Sequence, residues 1–585
     1  MKLAPDCQLG RSILAPDASH HSGSCPFINY VCHKYLFMPG VRIVTPGIVG
    51  ALTPLVQSMT QPISIIDLFA GPGGLGEGFS SLRDNAGQRK FQIALSIEME
   101  ASAHRTLQLR AFYRQFPYGE APPEYYDFLS GALGKDPAAE LFVRTRYPAS
   151  AAAALKEAQQ LTLGQNHRKV YSAIEDALGR PRPQECVLIG GPPCQAYSLV
   201  GRSRNRGIKG YKLEEDKRSD LYREYLRIIN RFEPAVFVME NVKGLLSAKH
   251  NGQSIFERIR ADLRRPGKAI SSRTRSKSEY AIFSLEAPAP GGDLFGQTHA
   301  PRDFVIRSEN HGVPQSRHRV ILLGVRTDVL SNRAPGVLGI APPVALRDVI
   351  SDLPRLRSGL SKQEDSPRRW AEAIRAEAAS VIHVLKHEHH FDVAARMEAA
   401  VGAILREQPG RGTRWSVDST RLTPQASGNP LTQWFHDPSG WHGICNHESR
   451  GHIQSDLIRY LFCACFSETM PEGKRRTPKA DEFPAVLAPA HANWHSGDFA
   501  DRFRVQVPDR PATTITSHIS KDGHYFIHYD PTQCRSLTVR EAARVQTFPD
   551  NYFFVGNRTQ QYVQVGNAVP PYLAYQIAKV VGDIL

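Results

Sequence analysis

Cys194 stands in the stretch Gly190-Gly191-Pro192-Pro193-Cys194-Gln195-Ala196-Tyr197-Ser198, directly after the apolar run Cys186-Val187-Leu188-Ile189. The run reads as a buried strand, which two glycines and two prolines stop abruptly. A thiol on a stiff loop at a strand's carboxyl end, where open α/β sheets bind ligands, is placed to act as a nucleophile. Taken alone, the cysteine reads sooner as a small buried residue packing a turn than as a nucleophile. Glu240 closes a second apolar run, Ala235-Val236-Phe237-Val238-Met239, and should project toward the same sheet edge. A carboxylic acid there either hydrogen-bonds or protonates a ring nitrogen, or simply caps the strand. A third run is entered through Gln315-Ser316-Arg317-His318-Arg319. Arg317 and Arg319 are two apart, so on an extended chain they share a face. Two guanidinium groups on one side suit a phosphate or a base carbonyl; a solvated edge is the bland alternative.

A second constellation lies upstream. Ile63-Ser64-Ile65-Ile66-Asp67-Leu68-Phe69 reads as a strand running into Gly71-Pro72-Gly73-Gly74-Leu75-Gly76 and a helix over residues 77–82. Strand, glycine turn and helix open a nucleotide-binding unit. Glu98 ends the next strand, 22 positions past Gly76, and suits the ribose hydroxyls of a dinucleotide or of any adenosine cofactor. No GxxxxGK lysine follows, which excludes a P-loop NTPase.

These residues require a sheet to hold them. Strands are expected near residues 63–69, 92–97, 186–189, 235–239, 280–283 and 320–325, and helices over 101–116 and 220–232, which gives a doubly wound α/β domain over residues 61–334. Within it residues 117–180 read as a mostly helical insertion. Residues 335–505 mix short helices, prolines, histidines and tryptophans and read as a second, smaller mixed domain. The α/β style returns in residues 506–585, with a strand at 512–516, a helix over 538–548 and an apolar helix over 572–581. Residues 1–60, rich in Pro, Ser, Gly and His, read as a disordered tail, and Met59 as a natural translation start.

The formal charge is +15 over 585 residues, which favours a polyanionic partner without separating nucleic acid from an anionic membrane surface. Residues 258–277 hold eight Lys/Arg against the single acid Asp262, a phosphate track or a solvated loop. No apolar run reaches membrane-spanning length, and residues 41–56 make a poor signal peptide, so a cytoplasmic protein without membrane association is expected. The nine scattered cysteines lack CxxC pairs and read as reduced thiols; His387, His389 and His390 read as a solvated helix face, and no metal is expected.

Together the motifs resemble the DNA (cytosine-5) methyltransferases. Asp67-Leu68-Phe69-Ala70-Gly71-Pro72-Gly73-Gly74 looks like that family's S-adenosylmethionine loop, and Gly191-Pro192-Pro193-Cys194-Gln195 like its catalytic loop. Glu240-Asn241-Val242, the Q-x-R-x-R element at Gln315, Arg317 and Arg319, residues 535–549, and Gln564-Val565-Gly566-Asn567-Ala568-Val569-Pro570-Pro571 follow in family order. The resemblance implies a Rossmann-like S-adenosylmethionine-dependent sheet with a target recognition domain over residues 335–505, where Arg411, Arg414 and Arg450 are base readers to consider. It implies catalysis by Cys194, Glu240, Arg317 and Arg319, and cofactor contacts from Asp67, Phe69, Ala70, Gly71, Gly73, Gly74, Glu98, Met99, Asn567 and Ala568. Substrate contacts would come from Pro193, Gln195, Ser198 and Gln315. The family's usual aspartate soon after the ribose acid is displaced by the insertion, Asp176 being its weak counterpart. The implied partner is double-stranded DNA, bound by a monomer that associates with the nucleoid and acts separately from a cognate restriction endonuclease.

Four rivals are weighed. A tRNA-directed relative is disfavoured by the long recognition region. An amino-methyltransferase would carry an aromatic where Cys194 stands. An inert DNA-binding regulator would not need Cys194, Glu240 and Arg319 intact, and a NAD oxidoreductase would need neither the Pro-Pro-Cys loop nor Q-x-R-x-R.

Overall fold

The computed structural model describes residues 61–134, 137–179, 185–193, 217–250, 252–270, 277–289, 293, 299–330, 334–418, 429–489, 494 and 502–585. The expected tail over residues 1–60 lies outside them.

Eight strands form one sheet: β1 (Ile63–Leu68), β2 (Phe91–Glu98), β3 (Ala158–Gln160), β4 (Cys186–Gly190), β5 (Val236–Val242), β6 (Tyr280–Phe283), β7 (Val305–Arg307) and β8 (His318–Arg326). Their order is β3-β2-β1-β4-β5-β8-β6, with β7 also paired to β8. The strands β1 to β5 run parallel, and β8 is antiparallel to its neighbours β5, β6 and β7. This is the Rossmann-like reversal at β1/β4, with an antiparallel strand inserted beside β5. The fold class is therefore α/β, of the methyltransferase type expected. All of β4 is buried, which is why it reads as an uninterrupted apolar run rather than an alternating one.

Both faces of the sheet are covered. Ile66, Leu68, Leu188, Phe237, Met239 and Leu322 point to one face and pack beneath helices that follow β3, β4 and β5. Ile65, Val187, Ile189, Val236, Val238, Ile321 and Leu323 point to the other. The helices, in chain order, begin with α1 (Gly74–Ser81) and α2 (Ala101–Arg114). The insertion contributes α3 (Pro123–Ser130), α4 (Pro137–Val143), α5 (Pro148–Glu157) and α6 (His167–Leu178). It is not purely helical, because it delivers edge strand β3 to β2 and lays Val170, Ile174 and Leu178 of α6 on the sheet. Next come α7 (Lys217–Phe232) and α8 (Ile255–Arg264), on the same face as α6.

The segment after β8 departs from the expectation of short helices. It contains α9 (Pro367–His387), α10 (Phe391–Arg406) and α11 (Gln454–Glu468). Trp370, Ile374, Val381 and Leu385 of α9 meet Met397, Val401 and Ile404 of α10 and Leu457, Leu461 and Phe462 of α11 in one core. The spacing is helical; the intervening charged residues on the exposed faces conceal it when the sequence is read for strands. His387, His389 and His390 lie exposed at the junction of α9 and α10.

The chain then returns. The expected strand over 512–516 shrinks to Ala512–Thr513, paired in parallel with Gln315–Ser316. Helices α12 (Val539–Val545), α13 (Arg558–Asn567) and α14 (Pro571–Gly582) follow. A capping box between Thr538 and Glu541 starts α12, and another between Asn557 and Gln560 starts α13. The last helix covers the first: Leu573, Ala574, Ile577 and Val581 of α14 share a core with Leu75 and Phe79 of α1. Their backbones approach closely, since a Cβ on Gly78 would lie 2.4 Å from Pro571 O. Residues 60–585 cluster as one compact unit.

Candidate active site

The glycine turn after β1 is strained into shape. Phe69 has φ +56° and Gly71 and Gly73 have φ +57° and +97°, a region that a non-glycine residue enters only at an energetic penalty. Ala70 N–H donates to Ile97 O at 3.1 Å, fixing the turn to β2. Glu98, at the end of β2, lies directly across. Its Oε2 accepts from Gly71 N–H at 2.8 Å, and its Oε1 accepts from the N–H groups of Met99 and Glu100 at 2.9 and 2.8 Å. Beside it Met99 is 62% exposed, an apolar side chain with a face left for a planar ring.

The turn is backed by the returning C-terminal segment. A Cβ on Gly74 would fall 2.1 Å from Val569 O, and Tyr552 donates its hydroxyl to Pro72 O. Asn567 is exposed at the end of α13 and Ala568 is buried beside it, so both are carried to this turn through Val569. Beneath, Asp67 and its register partner Ser96 are both buried, and neither Asp67 oxygen nor Ser96 Oγ has a full hydrogen-bond partner. Burial pushes the Asp67 carboxyl up to about 8, against the opposing charge of Arg114. The helix that leaves the turn is anchored by Glu77. Burial would raise that carboxyl, but Arg110, bonded to it at 2.9 and 2.5 Å, more than reverses the effect and holds it below the usual range. An open glycine turn, an acid facing it across the strand ends, an exposed methionine and unsatisfied polar atoms below make a cradle that fits an adenosine-bearing cofactor.

The second half of the site lies one strand over. Gly190 ends β4 where a Cβ would sit 2.3 Å from Leu68 O. A Cβ on Gly191 would sit 2.9 Å from Glu240 Oε2 and 3.3 Å from Glu240 O. Asn241 Nδ2 donates to Pro192 O at 3.2 Å, while its Oδ1 accepts from Val242 N–H at 2.8 Å. The loop that leads through Pro193 therefore starts against Glu240. Cys194, Gln195 and Ser198 lie outside the described residues.

The β5–β8 register explains the partner of Glu240. Glu240 pairs with Ile321 and Val242 with Arg319, which puts Glu240 and Arg319 diagonally on one face. Farther back that face is apolar, with Val236, Val238 and Leu323; at the strand ends it becomes an ion pair, Arg319 Nε to Glu240 Oε1 at 2.9 Å. The two side chains are 17% and 16% exposed, enough to meet a substrate and too little for solvent to screen the pair fully.

Arg317 and Gln315 are not brought to this face. Arg317 is 2% exposed, and its guanidinium donates to Ile515 O at 2.8 Å and Gly566 O at 3.3 Å. Gln315 is buried, its Nε2 donating to Gln546 Oε1 at 2.6 Å and Val545 O at 3.1 Å and its Oε1 accepting from Ile515 N–H at 2.9 Å. The shared-face expectation fails locally because the chain is not one extended strand here: Arg317 N–H bonds back to Gln315 O at 3.0 Å, and this tight turn separates the pairing of Ser316 with Thr513 from that of His318 with Arg307. Both side chains position the returning segment. Arg540 serves it likewise, with guanidinium bonds to the carbonyls of Cys445, Pro549 and Tyr552 at 2.7, 2.8 and 2.6 Å.

Sequence reasoning missed Gly191, Asn241 and Tyr552 as site-shaping residues. Gly191 and Asn241 lay inside quoted motifs, so their positions carried the signal; Tyr552 carried none, because its partner Pro72 is 480 residues away.

Known proteins resemble this chain over most of its length. The profile of the C-5 cytosine-specific DNA methylases matches residues 127–272 and 445–583. The type II methyltransferase M.Bpa9945I of Bacillus paralicheniformis is 33% identical over 536 residues, covering 89% of this chain and 99% of its own. The type II methyltransferase M.AgeI of Thalassovita gelatinovora is 25% identical, covering 88% and 98%. A solved DNA modification methyltransferase from an E. coli prophage covers 89% of this chain and 99% of its own at 17% identity, with a TM-score of 0.48. Likeness to M.Bpa9945I along nearly its full length decides the family: the chain belongs to the C-5 cytosine-specific DNA methylases and is a DNA (cytosine-5-)-methyltransferase.

Proposed function

We propose that the enzyme uses S-adenosylmethionine to methylate a cytosine flipped out of a specific duplex DNA sequence, by way of a covalent bond to Cys194. The observation that carries the reading is the adjacency of the two half-sites. The Gly71–Glu98 cradle ends β1 and β2, and the Gly191–Glu240–Arg319 cluster ends β4, β5 and the partner strand β8.

When bound, the cofactor supplies an electrophilic methyl group. Glu98 and Met99 would hold its ribose and adenine, and the Gly71–Gly74 backbone would approach its chain. The Cys194 thiolate would form a bond to carbon 6 of cytosine, which moves electron density toward carbon 5. Glu240 would hold a proton at ring nitrogen 3 and stabilise the charge arriving there, while Arg319 fixes both Glu240 and the base oxygen. After methylation the proton on carbon 5 leaves and the carbon–sulfur bond breaks, restoring the aromatic ring. Arg317 and Gln315 act here as positioning residues. Extracting the base from the stack costs roughly a few kcal/mol, offset by backbone contacts that the positive surface charge favours.

We further read residues 335–505 as the target recognition region, and the chain as a cytoplasmic monomer paired with a separately acting restriction endonuclease. No helix among the described residues is long and apolar enough to cross a membrane.

Bisulfite sequencing of DNA from a heterologous host expressing the protein tests the proposal. One short sequence should be protected at a single cytosine, and the Cys194→Ala variant should leave it unprotected. Carbon-5 methylation by Cys194→Ala would overturn the covalent mechanism.

A further inference from the structure

Three arginines of the recognition region invite comparison. Arg411 is turned inward, with Nη1 3.3 Å from Asp365 and Nη2 donating to Ser449 O at 3.1 Å. Arg450 donates to Lys521 O at 3.0 Å and Ile519 O at 2.7 Å and lies over the Tyr562 ring. Arg414 differs. It is exposed, and among the described residues its guanidinium has neither an ion pair nor a hydrogen bond; it rests 4.9 Å from the centre of the Trp415 ring.

Beneath this exposed guanidinium the backbone is pinned on both sides. Arg414 O accepts from Asn446 N–H at 2.7 Å, and Ser416 N–H donates to Leu129 O at 2.8 Å. Trp415 stacks on Phe553 at 5.4 Å with a 14° tilt and meets the edge of Phe128. Gly131, with φ +77°, admits the indole so closely that a Cβ there would lie 2.8 Å from it. Phe128, Leu129 and Gly131 belong to α3 and its C-cap, within the insertion. The same helix holds the recognition region a second time: the Tyr126 hydroxyl lies 3.1 Å from both oxygens of buried Asp437 and 3.0 Å from Ser439 Oγ.

A surface arginine needs no such foundation for solubility. A guanidinium steadied on an aromatic face, above a backbone locked to another part of the chain, is preorganised, which lowers the entropy lost when it meets a ligand. Its planar fork matches the O6 and N7 acceptors of guanine in the major groove. We propose that Arg414 reads a base edge in the target, with guanine as its match, and that α3 of the insertion is the buttress that positions it. This rests on the reading of residues 335–505 as the DNA-recognising region.

The test uses the full-length enzyme and duplex oligonucleotides carrying the methylated sequence found by bisulfite sequencing, together with every single-base-pair variant of it. Arg414→Ala should flatten discrimination at one base pair, by roughly five- to a hundredfold in kcat/KM ratio, and leave the other positions selective. Gly131→Ala, which drives a methyl group against the indole, should weaken discrimination at that same base pair several-fold, with kcat on the cognate duplex and KM for the methyl donor within about twofold. A uniform loss across all sequences with a shallower salt dependence would mark a phosphate contact and overturn the assignment. Hydrogen exchange on duplex binding separates the two levels. Protection of residues 335–505 with selectivity unmoved in Arg414→Ala overturns this inference alone; absence of protection there overturns the underlying reading too.

Discussion

At Asp67 a carboxyl group sits under the cofactor turn, with Ser96 beside it and no full hydrogen-bond partner for either. Burial raises its pKa from 3.8 to about 8. The folded protein therefore holds this proton over a range in which the unfolded chain releases it. The group's contribution to stability is complete below pH 3.8 and is lost as pH rises through 8. Asp67→Asn, which cannot release a proton, should gain stability relative to the parent on going from pH 4 to pH 8, by the order of a few kcal/mol. Thermal melts of both proteins across that range measure it, and parallel curves would contradict it. At this scale the sequence was informative wherever a residue stood at a strand's end. Glu98, Glu240 and Arg319 could be placed because period and polarity locate such ends. Arg317 and Gln315 could not, because their orientation depends on one tight turn and on a pairing with Ala512–Thr513, which no local spacing encodes.

The elements of the sheet are held at fixed separations by missing side chains. Gly74 lets the carbonyl of Val569 reach the first turn of α1, and the atoms that an added Cβ would meet there, the O, C and N of Val569, are all backbone. Gly74→Ala should therefore displace the segment between α13 and α14 instead of being absorbed by a rotamer change. The expected effects are a loss of roughly 1–3 kcal/mol in stability and a raised KM for the methyl donor with less change in kcat. Chemical denaturation and steady-state kinetics check the two parts. The strands were legible because buried parallel strands are continuous apolar runs, as β4 and β5 are. The bundle of α9, α10 and α11 was obscured by charged residues on its exposed faces, and β3 by its three-residue length.

Across the molecule, side-chain contacts of long sequence span tie the described chain together. Lys90 reaches Gly582 O, 492 residues away, and Tyr126 reaches Asp437 across 311. Pairings of that span have no signature in a single sequence, which is why residues 117–180 read only as a mostly helical insertion although its Tyr125, Phe128 and Leu129 share a core with Cys445 and Phe553. Removing residues 571–585 should uncover Leu75 and Phe79 of α1 and leave an insoluble or protease-sensitive product, as measured by soluble yield and limited proteolysis. A soluble, protease-resistant truncation would refute that.

The cover of α1 by α14 also has a temporal side. A ribosome releases α1 and its glycine turn early, when the helix that will cover them has yet to be made. Throughout that interval the apolar flank of α1 is without its native neighbour and is open to chaperones or to wrong partners. Pro571–Gly582 is the last of the described helices to be made, so a nascent chain stalled before it would carry α1 with Leu75 and Phe79 uncovered.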